Sequence, residues 1–183
     1  VCSSDLGVID TLALVMKDPQ LRAVSITGFA LAVCQMALAS YVVVFLWREV
    51  GYTPAEAGLV FAVLHLAGIA SRVVLGVIAD RVLATRRLLI VLGWGMGCAL
   101  LALSWFSSAW PVAAVYAVMV AAGASGNGWV GLYFAELARL SPPALIADIA
   151  AGSQVLTYLG IVVGPTAFAL ALDATGNYAL CFQ

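Results

Sequence analysis

The stretch "SRVVLGVIADR", Ser71–Arg81, sets a guanidinium inside an apolar run and then closes the run with Asp80-Arg81. Its reading depends on the solvent the chain is built for. Of the 183 residues, 64% are hydrophobic and only 9% are charged. A soluble domain carries about 25% charged residues. The composition therefore points to a lipid bilayer. A net charge of −1 gives no reason to expect a nucleic-acid partner. The four cysteines, Cys2, Cys34, Cys98 and Cys181, form no CxxC pair and no metal-ligand spacing, so neither metal nor cofactor is expected.

Outward from this stretch, five runs reach the roughly 20 apolar residues that a spanning helix requires. They cover about 22–46, 57–78, 88–106, 111–134 and 149–172, and a sixth begins at Tyr178. Long uninterrupted runs indicate helices, since lipid tolerates only helices and closed barrels. The fold class is thus an all-α polytopic membrane protein. Six of the eight basic residues, Lys17, Arg22, Arg81, Arg86, Arg87 and Arg139, fall on one side of these spans. Arg48 alone lies on the other side. The positive-inside rule then predicts a cytoplasmic N-terminus and a multi-pass integral protein. A bacterial inner membrane is the expected location. Residues 1–7, "VCSSDLG", do not form a signal peptide and are read as a remnant, and residues 1–20 as remnant plus cytoplasmic linker. The final "NYALCFQ" reads as the start of a further span, so the chain is taken as a fragment of a longer protein.

Within a helix, His65, Gly68, Arg72, Gly76 and Ala79 share one face at 100° per residue. Arg72 lies about 12 Å along the axis from Asp80, too deep to reach the interface easily. A mid-span arginine costs about 2.5–3.5 kcal/mol on insertion scales. Arg72 therefore faces either an anionic substrate group or a carbonyl or carboxylate that locks two helices. His65 is a packing residue or a proton-coupling and substrate residue. Gln35, Asn127, Gln154 and Tyr158 are the other candidate cavity residues, since buried amides need partners. Trp129 sits at mid-depth, away from the usual aromatic belt. Gly123, Gly126, Gly128 and Gly131 read as close-packing residues. So does the stripe Ser153, Thr157, Gly160 and Gly164. Pro165 predicts a helix bend with Gly160 and Gly164. Glu136 and Arg139, three apart, can pair with each other or with the second loop. The third span, nearly free of polar side chains, reads as lipid-facing.

Gly76, Ile78, Ala79, Asp80 and Arg81 resemble the first half of the loop motif of the major facilitator superfamily. Leu83 replaces the motif's usual second glycine, and Arg86-Arg87 come two positions late. "GIVVGP", Gly160–Pro165, resembles the Gly-x-x-x-Gly-Pro element of the family's fifth or eleventh helix. "LALVMKDPQLRAVSITGF" is similar to the linker entering helix seven. The resemblance implies the C-terminal six-helix half of a twelve-helix fold, over residues 21–183: helices seven to eleven and the start of twelve. The missing N-terminal half of the same transporter is then the implied partner, with alternating access between the halves. It further implies that Gly76, Asp80, Arg81, Arg86 and Arg87 form a gating motif. Arg72 matches an arginine that binds the substrate carboxylate in the monocarboxylate-transporter branch. That branch often carries an acidic residue where Gly68 stands. The expected function is secondary transport of a small organic anion, with a proton as coupling ion. Transport or export of a sugar or drug is the alternative.

A remote alternative is an intramembrane protease. Gly123-Ala124-Ser125-Gly126 is similar to the serine motif of rhomboid proteases. The one histidine, His65, precedes Ser125 by sixty residues, whereas rhomboids place it on a later helix. The chain is therefore not expected to be an enzyme.

Overall fold

The computed structural model describes residues 7–81 and 83–183. The remnant read at residues 1–7 falls outside them except for Gly7. Seven helices follow in order: α1 Val8–Lys17, α2 Pro19–Phe45, α3 Pro54–Arg81, α4 Thr85–Ser104, α5 Val112–Leu140, α6 Ile146–Thr175 and α7 Tyr178–Cys181. Five are long and apolar enough to cross a membrane. These are the five expected spans, and α7 begins at the expected Tyr178. The linker stretch is itself helical. Asp18 separates α1 from α2, its carboxylate accepting from Gln20 N at 2.7 Å and Leu21 N at 3.1 Å. This caps α2, whose first residue is Pro19, a residue suited to the first helical turn.

The helix ends follow local chemistry. After α2 the chain runs through a wide π-type turn at Leu46–Val50 and stops at Gly51, with φ of 87°. A side chain there would be strained, so glycine ends the span. α5 runs six residues past its expected end, because "ELARL" contains good helix formers and Pro142-Pro143 supplies the stop.

Two parallel helix pairs form the bundle. α3 packs on α5, and α2 packs on α6. Both contacts depend on missing side chains. A Cβ on Gly123 of α5 would collide with the backbone carbonyl of Leu64 on α3. One on Gly160 of α6 would lie 2.6 Å from Phe29 O on α2, and one on Gly164 would strike Val33 O. The expected packing stripe of Ser153, Thr157, Gly160 and Gly164 is buried along this contact. Small residues let membrane helices approach at backbone distance, where dispersion contacts are densest. α4 covers the other side of α5 with Leu88, Leu92, Met96 and Leu103. Ile90, Val91 and Trp94 stay exposed on its outer face, as a lipid-facing helix requires. At the far end, Tyr41 stacks on Phe168 at 4.4 Å and Phe182 packs on Phe45 at 5.3 Å, seating α7.

These contacts make opposite demands at two glycines. Gly123→Ala is expected to lower stability by about 1–3 kcal/mol, because the α3 backbone must move. Gly97 of α4 has open space around its Cβ direction. Gly97→Ala is expected to be neutral or stabilising by up to about 1 kcal/mol. Unfolding titrations of the two variants in mixed micelles measure the difference.

Candidate substrate-binding site

The polar side chains of the spans meet around α5, in two clusters. In the first, Asn127 sits at the crossing of α3 and α5. A Cβ on Gly68 would fall 2.5 Å from the Asn127 Cβ, so the bare backbone of α3 makes the room. Gln35 Nε2 of α2 donates to Asn127 Oδ1 at 2.8 Å. Trp129 Nε1 donates to Gln35 Oε1 at 3.1 Å and to Gly126 O at 2.9 Å. Both ends of the Gln35 amide are thus engaged. Ser71 Oγ adds a bond from α3 to Ala124 O at 3.1 Å.

Arg72 joins this cluster from the other flank. Its Nε donates to the backbone carbonyl of Asn127 at 2.9 Å. The carbonyl contact foreseen as the structural role of Arg72 is therefore present. It uses one of five donors. Among the described residues the Nη groups have no acceptor, and Arg72 stands exposed on its helix. It lines a groove of about 190 Å³ with Gly76, Asp80, Gly128 and Gly131. Arg72 and Asp80, which the sequence places about two turns apart, thus border one groove.

The second cluster was not legible in the sequence. Tyr133, buried on α5, presses its ring against Gly28 of α2, where a Cβ would lie 2.5 Å from Tyr133 Cε2. Its hydroxyl donates to Ser153 O at 3.2 Å and accepts from Thr157 Oγ1 at 3.3 Å, both on α6. Ser153 Oγ lies 2.7 Å from Ser25 Oγ of α2. An aromatic in an apolar run carries no mark of such a role. The small residues that receive it, Gly28 and Ser25, were the available signal.

Between the clusters lies a cavity of about 170 Å³. Gln35, Trp129, Tyr133, Gln154 and Tyr158 are among its lining residues. Three predicted site residues, Gln35, Gln154 and Tyr158, are therefore brought together. Arg72 is not among them, since its groove runs along a different face of α5. His65 stands apart from both. It is half-buried with its ring edge-on to Phe61 at 4.4 Å. Ser125 packs towards Gly95 of α4, away from His65 on α3, and the two share no hydrogen bond among the described residues.

Four of the residues expected to form a gating motif gather at one end. Asp80 and Arg81 finish α3, and Arg86 and Arg87 lie in the first turn of α4, all exposed. Among the described residues the ion pair present is Glu136–Arg139, a two-bond fork at 2.6 Å and 2.9 Å. Of the two pairings open to Glu136 and Arg139, the chain uses the mutual one. Glu136 is 1% exposed, so this pairing holds a carboxylate that burial would otherwise penalise. Pro165 lies inside α6, which remains helical through it, and Tyr41 Oη donates to the Pro165 carbonyl at 3.3 Å.

Comparison with known families settles the class. The model of the Major Facilitator Superfamily matches residues 5–165. The chain belongs to that superfamily. Its members are transporters rather than enzymes, and they bind small-molecule substrates within the membrane. The protein is accordingly an integral multi-pass membrane protein of all-α fold. No curated protein and no solved structure matches the chain significantly.

The amide cluster distinguishes two glutamines. Gln35→Leu strips Asn127 and Trp129 of a buried partner and is expected to cost about 1–3 kcal/mol. Gln154 makes no hydrogen bond among the described residues. Gln154→Leu is expected to stay within about 0.5 kcal/mol of the parent. Paired unfolding curves compare them.

Proposed function

We propose that the chain is the C-terminal half of a secondary transporter that moves a small organic anion, such as a monocarboxylate, by alternating access. On this reading α2 to α6 are helices seven to eleven and α7 opens helix twelve. The linker-like approach to α2 and the order of the two motif-like segments support that assignment. The observation that carries the substrate class is Arg72. Its Nε is anchored on the Asn127 carbonyl at 2.9 Å, which orients the guanidinium and leaves the Nη groups available in the groove. A planar fork held at one nitrogen suits bidentate capture of a carboxylate. His65, on the same helix, is the proposed carrier of a coupling proton. Asp80, Arg81, Arg86 and Arg87 are the proposed latch at the cytoplasmic side of a bacterial inner membrane. Gly160, Gly164 and Pro165 are the proposed bend.

A second reading is favoured by the neutral cavity. Gln35, Gln154 and Tyr158 offer hydrogen bonds without charge beside the Trp129 ring. That chemistry suits a sugar or another uncharged solute.

Uptake by the complete transporter separates the two. Arg72→Ala is expected to reduce uptake of short-chain carboxylates about tenfold or more, the value of a lost charge-assisted bond. Arg72→Lys is expected to recover part of it. Carboxylate uptake that is equal in parent and both variants would exclude the anion reading. Loss of uncharged-solute uptake in Gln154→Leu would favour the second.

A further inference from the structure

The groove that holds Arg72 has a second charged end. Arg72 and Asp80 both line it, and only glycines, alanines and Leu132 lie between them. The two stand about 12 Å apart along α3 and about a quarter of a turn apart around it. Both are exposed. Among the described residues the Asp80 carboxylate has no ion-pair partner, and the Arg72 Nη groups have no acceptor. Arg81, Arg86 and Arg87 lie at the same end of the bundle as Asp80, but they do not line the groove.

The wall between the charges is barer than packing requires. Glycine inside a helix costs stability. Close approach accounts for it at Gly123, against Leu64 of α3. It does not account for Gly76 or Gly131, where a Cβ would meet nothing within 4 Å. The missing side chains keep space open along the stretch that separates cation from anion.

A simple monocarboxylate at Arg72 uses only half of this arrangement. Its tail would end beside a carboxylate with nothing to answer it. Beside the low-dielectric spans an opposite charge there is attracted more strongly than in water, and a like charge is repelled more strongly. On the anion reading of Arg72 given above, we infer that the groove takes a zwitterion, a small ω-amino acid. Its carboxylate sits on the guanidinium fork of Arg72, its ammonium on Asp80, and its methylene stem along the small apolar wall. Asp80 then has two tasks, as the proposed latch and as the second anchor of the substrate. A latch alone would change the binding of every ligand alike. An anchor changes only those that carry a charge at the far end.

The experiment therefore reads ratios between ligands. The complete transporter, purified in detergent, is titrated with butanoate, hexanoate and octanoate, each beside its ω-amino and ω-carboxylate relatives. The pH is held at about 7, where the amines are protonated and the acids ionised. Ligand-induced thermal stabilisation gives each apparent Kd. At the best-fitting length the ω-amino acid is expected to bind about tenfold or more tighter than the parent acid, the value of one charge-assisted bond. The diacid is expected to bind more weakly than either. In Asp80→Asn the three are expected to converge, and in Asp80→Lys the order is expected to reverse. The ranking on the parent protein stands even where a variant misfolds. Equal affinity for parent acid and ω-amino acid at every length, with both lost in Arg72→Ala, overturns the zwitterion and leaves the anion reading intact. A preference of the parent protein for the diacid gives the far end to the arginines and also overturns it. So does an amine preference that persists in Asp80→Asn. Binding unchanged by Arg72→Ala, or no stabilisation by any of these acids, sinks both readings together.

Discussion

Asn127 can occupy the crossing of α3 and α5 because residue 68 has no side chain. Most of the polar architecture follows from that fit. A buried amide in lipid must find partners within the protein. Its side-chain oxygen is met by Gln35 from α2, and Gln35 in turn by Trp129. Its backbone oxygen is met by Arg72 from α3. One residue thus ties three helices together and orients the guanidinium of mid-span Arg72. The closeness that permits it comes from Gly123 against Leu64 and Gly128 against Ser71. Packing and polarity are therefore two aspects of the same contact.

The second cluster repeats the arrangement with hydroxyls. Tyr133 reaches α6 only because Gly28 lets its ring lie on α2. The α2–α6 pair and the α3–α5 pair are each closely packed. Polar side chains of α5 join one pair to the other, and the cavity lined by Gln154 and Tyr158 lies along that seam. Its walls come from both pairs, so a ligand there would contact the two together.

The spans were legible because lipid imposes a crude constraint, length and apolarity, which a sequence displays directly. The candidates Gln35, Asn127 and Arg72 were legible for the same reason, as polar groups where polarity is costly. Their partners were not. Gln35 and Asn127 lie 92 positions apart, and their meeting depends on the register of two helices that the sequence does not print. Tyr133 went unread because a phenol in an apolar run looks like ordinary filling. The grouping of Arg72 with Asp80 in one groove, apart from Gln35, depends on which faces of α5 its neighbours cover. α1 went unread as a helix because its ten residues fall below spanning length.

The pairing of α2 with α6 and of α3 with α5 has a consequence for biogenesis. Neither pair consists of sequence neighbours. α2 enters the membrane with Gln35 unpartnered and must wait until α5 is made. Ser25 waits longer still, since Ser153 lies 128 residues downstream. α3 arrives with Arg72 exposed, while the carbonyl that will hold it is 55 residues from synthesis. The early spans therefore carry unpaired polar groups until their partners are made. Insertion of α5 joins α2 to α3, and insertion of α6 completes the bundle.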